Sequence, residues 1–141
     1  MRVLLDTCVL SELQRPNGSP AVKKAITALA DDDIFISALT LGEITKGVAL
    51  LPRGKKQERL QQWLHGLESL FPQRILPVDI ETSQIWGEIT ASARKDGLTM
   101  PAIDGLIAAT ALRHGLHLMT RNVSDFAPSG VIIINPWENT A

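Results

Sequence analysis

The sequence predicts an α/β domain in which a parallel sheet of about five strands lies between helices on both faces. Two observations carry that prediction. Short aliphatic or β-branched runs alternate with longer stretches of helical periodicity, and no repeat, low-complexity tract or linker interrupts the alternation. A chain of 141 residues with 45% hydrophobic and 21% charged content is enough for one core, so residues 1–141 read as a single domain.

Val3 to Leu5 is the expected first strand. Ser19 supplies an N-cap and Pro20 a first-turn proline for a helix whose Val22, Ile26 and Leu29 share one face. Ile34-Phe35-Ile36 is the second strand, and the stretch from Leu39 to Leu51 is helical up to Pro52. Leu60, Trp63, Leu64 and Leu67 recur at helical spacing in the next segment. Ile75-Leu76 makes a brief third strand, after which Asp79 caps a helix carrying Ile85, Ile89 and Ala93 and stopped by Gly97. The most hydrophobic helix of the chain follows, with Asp104 near its start and Gly115 at its end. Leu116 to Met119 and Val131 to Ile134 read as strands four and five, joined by a turn-rich or helical link.

Ligands of such sheets bind beyond the carboxyl ends of the strands. Asp6 follows strand one, Asn122 and Asp125 follow strand four, and Glu43 and Asp104 lie near helix starts, so all are expected at that edge. Asp104 has Met100, Pro101, Ile107 and Ala108 as its helical neighbours and no cation among them. An unpaired carboxylate in apolar surroundings costs several kcal/mol unless it protonates or meets a cation from elsewhere. The other acids each have an ordinary alternative. Asp6 suits the N-cap of a helix beginning at Thr7 or Cys8. Thr40-Leu41-Gly42-Glu43 has the spacing of a capping box, with Lys46 in reach of Glu43, and Asp125 fits a turn or cap.

Carboxylates gathered at one place raise one another's pKa and cannot all stay ionised without a cation, so the four together are candidates for a divalent-metal site. Oxygen donors with no Cys-His spacing favour Mg2+ or Mn2+ over Zn2+. His65, His114 and His117 read as surface or packing residues, and Cys8 as a small buried residue with no base beside it.

The formal charge of −1 gives no global attraction to nucleic acid, so such binding must rest on metal ions or local cations. Arg53, Lys55, Lys56 and Arg59 form one basic group, Arg94 and Lys95 a second, Arg113 and Arg121 a third; solvated helix ends are the plain alternative for each. A single cysteine excludes an internal disulfide, Asp6 cuts short the opening apolar run, and no run is of membrane-spanning length. A cytoplasmic protein without membrane attachment is expected. Leu60, Trp63, Leu64 and Leu67, with Trp86 and Ile89, offer more apolar surface than a small two-faced sheet covers, which predicts a homodimer.

Four ordered segments resemble the PIN-domain ribonucleases, in particular the VapC toxin group with its FitB-like members. They are Asp6-Thr7-Cys8-Val9-Leu10-Ser11-Glu12-Leu13, Ser37-Ala38-Leu39-Thr40-Leu41-Gly42-Glu43-Ile44, the Asp104 helix, and Leu118-Met119-Thr120-Arg121-Asn122-Val123-Ser124-Asp125-Phe126. The resemblance implies a three-layer α/β/α PIN-like fold and a Mg2+- or Mn2+-dependent endoribonuclease, the toxin of a VapBC-type toxin–antitoxin pair. Position by position it makes Asp6, Glu43, Asp104 and Asp125 the catalytic and metal-binding acids, with Asn122 as helper because many relatives carry an aspartate there. Thr7 and Thr120 are then water-orienting hydroxyls, and Arg121 a contact for substrate phosphate or for an acidic group of a partner. Cys8 departs from the asparagine common at its position in the family. The implied partners are RNA and a VapB-like antitoxin, in a homodimer or a higher assembly.

Two other phosphoryl-handling folds fit worse. A haloacid-dehalogenase-type enzyme needs an aspartate where Cys8 stands, and a response-regulator receiver needs an acidic pair by the first strand and a mid-chain acceptor. The rival outside enzymology is a catalytically inactive PIN-like module that binds protein or RNA.

Overall fold

The computed structural model of the chain describes residues 1–138; residues 139–141 of the expected domain lie outside them. In chain order the elements are β1 (Val3–Leu5), α1 (Thr7–Gln14), α2 (Pro20–Thr27), β2 (Ile34–Ser37), α3 (Ala38–Ala49), α4 (Lys55–Leu70), β3 (Ile75–Leu76), α5 (Ile80–Lys95), α6 (Ala102–His114), β4 (His117–Met119), α7 (Val123–Phe126) and β5 (Ile133–Ile134). All strand pairings are parallel, in the order β3-β2-β1-β4-β5. In register, Val3 pairs with Ile34 on one side and with His117 on the other.

That order assigns the helices to faces. Right-handed crossovers leading from β1 out to β2 and β3 put α1 to α4 on one face; the return past β1 to β4 and β5 puts α5 to α7 on the other. The strands agree residue by residue. Val3, Leu5, Ile34, Ile36 and Met119 join the core under the first layer, whereas Leu4, Phe35 and Leu118 join the core under the second. β1 is fully buried on both faces, which explains its unbroken apolar run.

Local chemistry sets the helix limits. Ser19 Oγ accepts from Val22 N at 3.4 Å with Pro20 in the first turn, and Asp79 Oδ1 accepts from Thr82 N at 2.8 Å. Gly115 closes α6 with φ of 66°, a left-handed conformation that costs a glycine little.

Three expectations are corrected. Ser37, not Thr40, caps α3: its Oγ accepts from Leu39 N at 3.1 Å, so Thr40 is buried inside the helix and no capping box forms with Glu43. The apolar face of α4 is core, because Leu60 and Leu67 are buried and Trp63 and Leu64 pack against the same cluster. Ile89 packs into the second core, and Trp86 lies against Gly105, so these six residues do not supply the free surface from which a homodimer was expected. The fifth strand is shorter than expected, Ile133–Ile134, because β4 offers it only Leu118 and Met119 as partners.

Candidate active site

β1 leads to β2 on one side while its other neighbour, β4, is reached by the reverse crossover, so a crevice opens at the carboxyl end between β1 and β4. Asp6 and Thr120 flank it. The ladder continues into both: Asp6 N donates to Met119 O at 2.9 Å, and Thr120 N donates to Ile134 O at 2.9 Å. Asp6 is 4% exposed, and its two oxygens have separate tasks. Oδ1 accepts from Thr7 N at 2.8 Å and caps α1; Oδ2 accepts from Thr120 Oγ1 at 2.8 Å and from Cys8 Sγ at 3.6 Å. The capping role and the site role of Asp6 are therefore compatible.

Glu43 lies in the second turn of α3, free of the capping box and without an ion pair to Lys46 among the described residues. Thr7 Oγ1 donates to Glu43 Oε1 at 2.6 Å and approaches Thr40 Oγ1 at 3.4 Å. Thr40 precedes Glu43 by three residues and so shares its helical face. One residue past Asp6, Thr7 thus ties the first acid to the second.

Asp104 stands in the first turn of α6, where the helix dipole favours an anion by only about 0.3–1 kcal/mol. Burial, then the neighbouring carboxylates of Asp6, Asp125 and Glu43 in that order, push its carboxyl up to about 6. This repulsion places all four acids within one electrostatic neighbourhood. Asp125 is at its exposed rim, in the short helix α7 that follows Asn122. Behind Asp104, Gly105 allows a close helix approach: a Cβ there would stand 3.0 Å from the Trp86 indole.

The supporting residues differ in how they meet the acids. Thr7 and Thr120 hold carboxylate oxygens, and Thr120 Oγ1 also accepts from Asn122 N at 3.0 Å. Their hydroxyl protons are directed at Glu43 and Asp6, which leaves the oxygens as acceptors. Arg121 is exposed and lies over the Trp137 ring, 5.0 Å from its centroid, without a carboxylate partner among the described residues. Sequence reasoning missed Thr40 and the Cys8 contact. Thr40 was legible from its i−3 spacing to Glu43, whereas Cys8 reaches Thr120 only through tertiary structure. Burial, with a smaller contribution from Asp6, raises the Cys8 thiol, which favours the protonated donor over a thiolate nucleophile.

The donor set suits a hard cation. No salt bridge among the described residues involves any of the four acids, and their side-chain partners are the Thr7 and Thr120 hydroxyls and the Cys8 thiol. No three His, Cys, Asp or Glu side chains among the described residues approach closely enough to enclose an ion alone. Mg2+ asks for less, since it keeps several waters and takes one or two carboxylates together with substrate phosphate.

A parallel α/β/α sheet with a group of acids at its switch point defines the class, an α/β domain whose candidate site lies beyond the carboxyl ends of its strands. The PIN domain model matches residues 3–127, and the chain belongs to that family. It is 40% identical over 141 residues to Toxin FitB of Neisseria gonorrhoeae, covering 97% of this chain and 99% of that one. It is 37% identical over 137 residues to VapC ribonuclease Y4jK of Sinorhizobium fredii, covering 96% and 98%. Among solved structures it matches FitAB bound to an IR36 DNA fragment with a TM-score of 0.90 and 38% identity, covering 96% of each chain.

Proposed function

We infer that this chain is a metal-dependent endoribonuclease and the toxin of a VapBC-type pair, acting on RNA in the cytoplasm as one PIN domain. The observation that carries the reading is the crevice in which Asp6, Glu43 and Asp125 all act on the charge of Asp104 while none of the four has an ion pair among the described residues. These four acids would hold Mg2+ or Mn2+, with Asn122 beside them. When bound, such an ion neutralises the scissile phosphate, acidifies water and stabilises the leaving 3′ oxygen.

The chain's own residues prepare that chemistry. Thr120 and Cys8 fix one oxygen of Asp6 and Thr7 N the other, so this carboxylate is oriented before substrate arrives. Thr7 holds Glu43 in the same way. Burial and the neighbouring acids push the Asp104 carboxyl up to about 6. In the hydrolysis, water adds to phosphorus, the bond to the 3′ oxygen breaks, and the water's proton ends on that oxygen.

Chelation should abolish cleavage of RNA, and Mg2+ or Mn2+ should restore it; full activity in excess EDTA would exclude this reading in favour of an inactive binding module. Relatives solved as FitAB and VapBC complexes support a VapB-like antitoxin as partner. The four acids also suit an arginine, whose guanidinium pairs bidentately with carboxylates and competes with metal. Co-expression of the neighbouring gene product should relieve growth arrest. Homodimerisation belongs to the same reading and is checked by light scattering at micromolar concentration.

A further inference from the structure

A groove of about 470 Å3 opens from the acidic crevice between α1, α3 and α4, with Thr7 and Glu43 at one end of its lining. Arg15, Lys56, Arg59 and Trp63 line part of the remainder, over an aliphatic floor that includes Val48 and Leu51, and Glu43 is its sole lining acid. Arg15 is held by Glu12 at 3.2 Å, whereas neither Lys56 nor Arg59 pairs with a carboxylate among the described residues. Arg59 makes only a long contact of 3.5 Å to Gln14 Oε1. Lys56 and Arg59 are exposed, and Trp63 is half-buried with its inner side against the core.

We propose that this groove guides single-stranded RNA to the acids, with Lys56 and Arg59 taking backbone phosphates and Trp63 stacking a base beside the scissile bond. The assignment rests on the nuclease reading and adds to it a path and a strand preference. Charge complementarity selects the occupant: the free cations line the groove away from the acids, and a polyanion lying on them delivers its next phosphate toward Glu43. A volume of this size falls within the range of roughly 300–1,000 Å3 that houses a small organic ligand, so it takes a splayed nucleotide rather than a helix. Aromatic stacking with cationic flanks is how proteins hold single strands without reading their sequence. An A-form duplex keeps its bases stacked inside and has none to offer Trp63.

The test uses the full chain carrying Asp104→Asn to prevent cleavage, with a short labelled RNA that is either unstructured or locked in a hairpin. The unstructured RNA should bind more tightly. Lys56→Ala with Arg59→Ala should weaken it about tenfold and reduce the slope of log affinity against log salt by about 1.4, from about 0.7 per phosphate contact on a single strand. RNA should quench tryptophan fluorescence, and Trp63→Phe, which preserves the packing, should remove most of that quenching. Unchanged affinity and salt slope in the double variant would overturn the proposal, as would equal binding of the hairpin. Substitutions that spare RNA but weaken the co-encoded partner would also overturn it and assign the groove to a peptide. A parallel Mn2+ reaction with the unsubstituted protein separates the two levels: cleavage there upholds the nuclease reading whatever becomes of the groove.

Discussion

The two edges of the sheet handle negative charge in opposite ways. At the amino edge three acids have cations from the chain itself: Arg113 Nε lies 2.9 Å from Glu81 Oε2 and 3.9 Å from Asp79 Oδ2, and the Met1 ammonium lies 4.0 Å from Asp33. At the carboxyl edge Asp6, Glu43, Asp104 and Asp125 have hydroxyls, a thiol, a backbone N–H and one another, and no ion pair among the described residues. The three acids of the amino edge are paired within the folded chain. At the carboxyl edge Asp104 is repelled by the other three.

The largest effect that sharpens this contrast is on cleavage. Asp6→Asn and Asp104→Asn should each slow RNA hydrolysis at least about a hundredfold, the scale of removing a preorganised electrostatic group. Initial rates in Mn2+ measure it, and a loss under threefold would detach either acid from the chemistry. Next comes stabilisation by the ion. Mn2+ at about a hundred times its dissociation constant should stabilise the unsubstituted protein by about 2.7 kcal/mol and the Asp104→Asn protein by much less. Calorimetry with and without EDTA gives both values.

The third effect is a pH dependence whose sign follows from Asp104. Its carboxyl in the folded chain, at about 6, lies above its unfolded value, so the folded state binds the proton more tightly. Its contribution to stability is fully present below the unfolded value, near 4, and is lost as pH rises through about 6. In EDTA the melting temperature should therefore decline across that window, and Asp104→Asn should flatten the decline. A steeper fall in the variant would contradict the origin of the shift. The smallest effect belongs to the other edge: Arg113→Ala breaks a partly exposed pair with Glu81, should cost about 1 kcal/mol, and should leave cleavage unchanged.

This contrast also shows which features a sequence displays. Asp104 was legible because its helical neighbours are all apolar, so its lack of a partner is a local fact. The strands were legible for the same reason, with Val3 to Leu5 an unbroken run that only a doubly covered central strand tolerates. Glu43 was ambiguous, since capping-box spacing from Thr40 is also local; only the position of Ser37 at the end of β2 decides that the cap lies elsewhere. The apolar face of α4 was read as surplus because periodicity shows that a face is buried, not against what. The bonds from Thr7 to Glu43 and from Thr120 to Asp6 join residues far apart in sequence, and no spacing rule reaches them.

The bond from Thr120 to Asp6 has a consequence for the order of events during synthesis. The two residues are 114 positions apart, and β1 has β4 as one of its two neighbours. A nascent chain can build β1, β2 and the four helices of the first layer while this face of β1 is still bare. Asp6 acquires its second anchor only after Thr120 has left the ribosome and β4 has docked. Because chains emerge amino end first and fold as they emerge, the crevice is among the last parts to close. An RNA-cutting protein of this design is thus disarmed until Thr120 and β4 have joined the fold, however long its first layer has been in place.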